Sequence, residues 1–315
     1  MKILIVCSYR DYTPHTNFVA PFIYEQVQSL EKSGCNVHYL FVKGGGFSAY
    51  ILGSLKLIKT VKKIKPDIVH AHGGLCGFIS NIQRMVPVVT TYHGSDINKR
   101  INRFISQFSI HFSAYNIFVS QKLIELSKPT KNFSLIPCGV DLDKFYPIND
   151  KKACREKLHL EIEKKIVLFS KMFYDPVKNY PLAKQAIEQL NNVELIQFIG
   201  YTRDESCLLM NACDAVLMTS FTEGSPQFIK EAMACNCPIV SVDVGDVKNI
   251  IQGTTGCYIT SYNPDNVSLN LQYAIDFASK TNGRSRITDF DNKKIAEKII
   301  NIYNLVIRSK VLKLK

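Results

Sequence analysis

The chain has no apolar run approaching the ~18–20 residues needed to cross a bilayer, so no membrane span is expected in its 315 residues. No secretion leader is expected. The apolar segment Met1 to Cys7 is short, and Arg10 and Asp11 follow at once, which reads as a first buried strand. Internal repeats and low-complexity stretches are absent. Ten cysteines are present, yet none forms a C-x-x-C pair, and Cys235 and Cys237 lie too close for an ordinary bridge or a zinc knuckle. Cys7, Cys213 and Cys257 sit in apolar runs, where cysteine packs as a small hydrophobe. Reduced thiols in the cytosol are the expectation. The first turn after the opening strand, residues 8–17, lacks the glycines of a dinucleotide fingerprint.

What is in excess is positive charge: 39 Lys and Arg against 27 Asp and Glu, a net +12. Such a balance asks for an anionic partner, and on charge alone nucleic acid, anionic lipid and anionic small molecules all fit. Lys56, Lys59, Lys62, Lys63 and Lys65 crowd one expected helix. Lys99, Arg100 and Arg103 crowd another, beside Ile101, Phe104, Ile105 and Phe108. Either that apolar face packs on a sheet and the charges are solvated, or the basic and apolar residues together suit a membrane surface.

At this length two domains are expected rather than one core. Strands are expected at 2–7, 37–42, 67–71, 88–92 and 115–119, separated by helices near 19–32, 49–64 and 97–112. The scheme repeats with strands at 166–169, 194–199, 215–218 and 238–242 and helices near 181–190, 204–212 and 226–234. Short apolar strands alternating with amphipathic helices give an α/β fold with doubly wound parallel sheets. Residues 142–165 are charged and proline-interrupted and read as a linker. The boundaries are drawn at 1–145, 146–293 and a last helical segment, 294–315, that has no adjacent strand. The second domain is short between 194 and 215, with room for one strand and one helix.

The richest stretch is 220–246, SFTEGSPQFIKEAMACNCPIVSVDVGD. It reads as strand, tight turn, helix and strand, with the helix opening at or near Pro226. Glu223 lies in the Gly224-Ser225-Pro226 turn and Glu231 eight residues later. A helix start beside a small-residue turn offers free amides to an anion, and carboxylates accept hydrogen bonds from hydroxyls. Together they outline a sugar-nucleotide pocket, against the plainer reading of surface acids near a helix start. Lys171 and Lys178 flank a short loop after another strand and would suit a pyrophosphate. His93 ends a strand beside Gly94. His70 and His72 share one strand face without a third metal ligand, so both read as structural. Asp141-Leu142-Asp143 mimics a metal-binding D-x-D, and metal is not expected there. Gly44, Gly45 and Gly46 lack dinucleotide-binding spacing and read as a loop.

The stretch resembles the E-x7-E motif of retaining glycosyltransferases of family 4, which have the GT-B fold of two facing Rossmann-like domains. Thr91-Tyr92-His93-Gly94-Ser95-Asp96 resembles the family's HGSD element. Ile136-Pro137-Cys138-Gly139-Val140-Asp141, with Phe145, resembles its P-N-G-V-D-x-x-x-F segment. Ser170-Lys171 with Lys178 stands where the family has G-R and a lysine. The resemblance implies a C-terminal helix crossing back to the first domain and an acceptor-side first domain. It also implies a sugar moved from a nucleoside diphosphate donor to an acceptor hydroxyl with retention and without metal or cofactor. By resemblance, Glu231 binds the ribose, Glu223 and His93 the transferred sugar, and Lys171 and Lys178 the leaving pyrophosphate. Asp96, Gly224, Ser225, Pro226 and Gln227 complete the donor site. The first turn departs from the family's Gly-Gly phosphate loop, and Thr16 or Asn17 are the candidates for phosphate contacts there. The expected product is a cell-envelope glycan such as capsule, O-antigen or exopolysaccharide, made by a hexosyl- or related transferase. The expected acceptor is a glycan or lipid-linked glycan. The expected location is the cytoplasm, with peripheral binding at the anionic inner membrane face and no nucleic-acid partner. Rival readings are a nucleotide-sugar epimerase or hydrolase of the same fold, or an inactive basic lipid-binding adaptor.

Overall fold

The computed structural model describes residues 1–8, 20–43 and 47–312, with the side chains of 47–51 and 311 outside that description. Thr16 and Asn17, and the Gly44, Gly45 and Gly46 run, lie outside the described residues. The chain divides into two units, residues 1–139 with 292–315 and residues 140–291.

The first unit is built on β1 (Lys2–Ser8), β2 (Asn36–Val42), β3 (Ile68–His72), β4 (Val88–Tyr92), β5 (Tyr115–Phe118) and β6 (Phe133–Leu135). All pair parallel, in the order β2-β1-β3-β4-β5-β6. Successive residues of β1 point to opposite faces, and both faces are covered. Ile3, Ile5 and Cys7 pack with helices Pro21–Lys32 and Asn292–Leu312, while Leu4 and Val6 pack with helices Phe47–Ile64 and Gly74–Asn81. Ile295, Ile299, Ile302, Tyr303 and Val306 recur on one stripe of the last helix, which therefore belongs to the first unit's core. The chain leaves this unit at Gly139 and re-enters at Asn292. A Cβ on Gly139 would lie 2.2 Å from Asn292 Oδ1 and 3.1 Å from its Cα, so a larger residue there would have to displace the Asn292 side chain.

The basic and aromatic segment 97–112 departs from the expected single helix. Lys99 is extended, and the chain forms helices Ser95–Asn98 and Arg100–Phe112. The longer helix is also turned against its own apolar periodicity. Its buried residues are Ser106 and Ser109, and they meet glycines of helix Gly74–Asn81. A Cβ on Gly74 would fall 1.8 Å from Ser106 Oγ, and one on Gly77 2.1 Å from Ser109 Oγ. Small residues on both sides permit this close approach. They leave Ile101, Phe104, Phe108 and Phe112 outside, at 79%, 68%, 44% and 44% exposure.

The second unit carries β7 (Lys165–Phe169), β8 (Val193–Gln197), β9 (Ala215–Met218), β10 (Ile239–Val242) and β11 (Cys257–Thr260), parallel in the order β11-β10-β9-β7-β8. Ile166 and Leu168 enter one core cluster and Val167 and Phe169 the other. Residues 142–165 are not a linker. Leu142 and Phe145 are buried in this unit's core, and helix Lys151–Lys157 packs beside helix Arg203–Ala212. Two of the segment's charged residues, Arg155 and Lys151, reach the Asp214 carboxylate, while most of the others are exposed. Arg155 is buried, pairs with Asp214 at 2.7 Å, and donates to the carbonyls of Ala212, Ile162 and Lys164. Asp214 also accepts from the Ile166 amide at 2.7 Å and pairs with Lys151 at 2.9 Å. All ten cysteines are free thiols, eight of them buried.

In each sheet the strand order reverses beside the unit's first strand: β1 lies between β2 and β3, and β7 between β8 and β9. Ligands of open parallel sheets bind beyond the carboxyl ends of the strands at such a reversal.

Candidate functional site

In the second unit that reversal gathers the expected acids and lysines. The chain leaves β7 through Ser170 and Lys171 and makes a short 3-10 turn at Pro176–Lys178. Thr219, just past β9, donates to the Lys178 carbonyl at 2.8 Å, and the Phe221 amide donates to the Val177 carbonyl at 2.9 Å. Pinned this way, Lys178 Nζ lies 2.5 Å from Glu223 Oε1, both groups half-buried. Lys171 is brought less close. It is exposed and bonded to Asp175 at 2.6 Å. Burial would raise the Asp175 carboxyl, but the Lys171 ammonium and the Val177 amide outweigh it and hold its pKa below the usual value.

Helix Gln227–Ala234 starts one residue later than expected. Pro226 is its cap, with ψ of 123°, and not its first helical residue. Glu231 sits in the second turn with its side chain 3% exposed, and Arg203 donates to Oε1 at 2.7 Å. The Arg203 guanidinium lies 4.7 Å over the Phe145 ring, so the interdomain-type segment braces the group that holds Glu231. Sequence reasoning missed Arg203. The signal was present: Thr202 and Glu205 form a capping box, which puts Arg203 in the first turn. A cation there opposes the helix dipole, so it is placed for another purpose.

Lys230, also missed, is fully buried. It donates to the Ser225 hydroxyl, which in turn lies 2.5 Å from Asp246 Oδ2, and it stands 5.5 Å from the Phe290 ring. Burial raises the Asp246 carboxyl, with Lys230 and the Ser225 hydroxyl opposing. Behind this clasp Gly245, with φ of +63°, passes so close that a Cβ would be 2.6 Å from the Gly224 carbonyl. The side chain of Ser225, expected at the donor, is thus engaged in fixing the turn that carries Glu223. Gln227 opens the helix half-exposed.

In the first unit the reversal lies at Ser8, His72 and His93. Gly94, with φ of +132°, turns the chain after β4, and Asp96 locks that turn: its Oδ1 accepts from the Gly94 amide at 2.8 Å and its Oδ2 from the His93 amide at 3.1 Å. Burial raises the Asp96 carboxyl in spite of these amides. Asp96, expected among donor contacts, holds with its oxygens the backbone that presents His93. His93 Nε2 is 3.0 Å from His72 Nδ1, its Nδ1 is 3.6 Å from Cys138 Sγ, and Phe22 tilts over it at 4.9 Å. His70 is structural, as expected. It is buried, with Tyr303 Oη at 2.6 Å and Thr91 Oγ1 at 2.8 Å. Among the described residues no group of histidines, cysteines and acids is arranged to hold a metal, and no helix is long and apolar enough to cross a membrane.

Two family models match the chain in series: Glycosyltransferase Family 4 over residues 25–144 and Glycosyl transferases group 1 over residues 164–276. Among similar proteins is the Bacillus subtilis glycosyltransferase TuaC, named for teichuronic acid biosynthesis. It is 26% identical over 62% of this chain and 58% of its own length. Another is the Escherichia coli UDP-Gal:alpha-D-GlcNAc-diphosphoundecaprenol alpha-1,3-galactosyltransferase, 25% identical over 81% of this chain and 76% of that enzyme. The chain therefore spans less than two thirds of the Bacillus relative. Of solved structures, sucrose-phosphate synthase from Thermosynechococcus elongatus superposes with a TM-score of 0.82 over 98% of this chain and all of that one, at 16% identity. Anabaena HepE in complex with UDP gives 0.75 over 96% of this chain and 99% of that one, also at 16% identity. With two parallel-sheet units, these fold neighbours and the two models in series, the chain belongs to the family 4-type glycosyltransferases of GT-B fold.

Proposed function

We propose that this protein transfers a sugar from a nucleoside diphosphate donor to an acceptor hydroxyl with retention of anomeric configuration. The observation that carries the reading is the juxtaposition of Lys178 with Glu223, and of Arg203 with Glu231, around one helix start at the strand-order reversal. The bond from the anomeric carbon to the leaving phosphate oxygen breaks, and the acceptor oxygen bonds to that carbon on the same face. The acceptor proton passes to the leaving phosphate. Lys171 and Lys178 meet the negative charge of the departing pyrophosphate, so no metal is required; Glu231 and Glu223 accept from ribose and sugar hydroxyls. A uridine donor and a lipid-linked envelope glycan as acceptor are supported by the printed name of the Escherichia coli relative, and envelope-glycan synthesis by that of TuaC.

The test is a panel of nucleotide sugars, UDP-sugars first, with products read by mass spectrometry and anomeric configuration by NMR, with and without chelator. Retention and chelator resistance are expected. An inverted linkage would reject the mechanism, and donor isomerised without any acceptor would identify an epimerase instead.

The reading extends to location. The outward stripe Ile101, Phe104, Phe108 and Phe112 is joined by Phe78, whose ring stands 6.2 Å from Phe108, and by Arg84, 4.4 Å over Phe112. Lys99 and Arg100 are exposed beside it, and helix Phe47–Ile64 exposes Leu52 and Leu55 with Lys56 and Lys59. Aromatic groups flanked by cations suit an anionic membrane surface, at about 1 kcal/mol per nearby charge. Sedimentation with phosphatidylglycerol vesicles at low salt, and its loss at high salt, are expected. Phe104→Ser with Phe108→Ser should abolish it, and protein left in the low-salt supernatant would refute this location.

A further inference from the structure

We propose that His72, behind the family histidine, is a positioning residue that holds one hydroxyl of the acceptor through its Nε2. The inference rests on reading the first unit as the acceptor side. His72 is the last residue of β3, and Gly73, with φ of +92°, turns the chain away immediately after it. The ring is only 5% exposed and is stacked between His70 at 4.4 Å and His93 at 5.2 Å. Stacking and the Nδ1 contact with His93 leave the ring little freedom to turn. Its other nitrogen, Nε2, is buried and has no hydrogen-bond partner among the described residues. Buried polar atoms in folded proteins are nearly always bonded, so an orphan nitrogen held rigidly beside a site marks a place for a ligand atom.

That place exists. His72 lines a cavity of about 170 Å³ together with Ser8, Phe22, His93, Asp96 and Asn102. The space equals roughly five or six waters, and it opens at the carboxyl ends of β1, β3 and β4, where the strand order reverses. The wall chemistry names the ligand class. Burial pushes the His72 pKa down to about 3, so the ring is uncharged at neutral pH. If Nδ1–H donates to His93, Nε2 is a bare acceptor; with the opposite tautomer Nε2–H is a donor. A hydroxyl complements either state, because it both donates and accepts, whereas a phosphate oxygen only accepts. Asp96 on the same wall further disfavours an anion. The partner is therefore an uncharged polyol, a sugar ring of the acceptor, and not the acceptor's phosphate.

The test uses the full chain labelled with 15N-histidine, with ring nitrogens read by long-range proton–nitrogen correlation. Saturating UDP is present, and methyl N-acetyl-α-D-glucosaminide is titrated to high millimolar concentration. A saturable change at His72 Nε2 is expected. His72→Phe, which keeps the stacked ring, should weaken the glycoside by about tenfold and leave UDP binding unchanged, and His72→Gln should recover part of the loss. Glycoside binding with His72 Nε2 unmoved overturns the inference while leaving the transferase reading intact, as does the absence of saturable glycoside binding when UDP binds. Failure of UDP itself to bind overturns both together.

Discussion

Lys178→Ala is expected to lower kcat by roughly 10²–10³-fold, the loss seen when one preorganised group facing developing charge is removed. The size of the effect follows from placement. Lys178 is half-buried, its backbone is pinned by Thr219, and its ammonium already contacts Glu223, so no reorganisation is needed as the pyrophosphate leaves. Lys178→Arg should keep much of the activity, since charge is retained. Lys171→Ala should cost only about tenfold or less, because Lys171 is exposed, solvent-screened and tied to Asp175. Steady-state rates with whichever donor the panel identifies, and circular dichroism of each variant, make the comparison. Full activity in Lys178→Ala would place the pyrophosphate elsewhere.

Asp214→Asn is expected to destabilise the second unit by about 3–5 kcal/mol, the range for breaking a buried ion pair from one side. Arg155 would be left with its charge uncompensated, and the Ile166 amide with a weaker acceptor. The exposed Lys151 contributes little of this. The wild-type pair also makes a pH signature. Burial would raise the Asp214 carboxyl, but the Ile166 amide, Lys151 and Arg155 together outweigh it and lower its pKa in the folded state. Its stabilisation is thus fully present above the unfolded value of about 3.9 and disappears as pH falls through the lower folded value. Urea unfolding at pH 7 should show the full loss in Asp214→Asn, and acid titration should bring variant and wild type together. The chain has no tryptophan and 15 tyrosines, so far-ultraviolet circular dichroism and tyrosine emission are the probes. Equal urea midpoints at pH 7 would refute the structural role.

Several elements are legible in the sequence because their signal is local. Strand Lys2–Ser8 is a short apolar run buried on both faces, helix Gln227–Ala234 follows a small-residue turn, and Glu223 and Glu231 are set by spacing along one strand–turn–helix. The doubly wound parallel class follows from that alternation, because short buried strands joined by amphipathic helices have few other ways to cover both sheet faces. Other features were illegible for an equally physical reason. Helix Arg100–Phe112 has a strong apolar stripe, yet it presents its serines inward, since only Gly74 and Gly77 on its neighbour decide how closely it can approach. Residues 142–165 read as solvated because their charges are common on surfaces; Arg155 is inside because Asp214, 59 positions away, lies just before β9.

The sequence by itself determined the class of fold, the order of its elements and the candidate acids, lysines and histidine. Periodicity and spacing are properties of adjacent residues. Only the tertiary structure decided which of them meet: Lys178 with Glu223, Arg203 with Glu231, Lys230 with Ser225 and Asp246, and His72 with His93. Those pairings depend on strand order, which brings the ends of β7 and β9, and of β1, β3 and β4, side by side. Strand order is set by how the sheet faces are covered, and no local pattern encodes it.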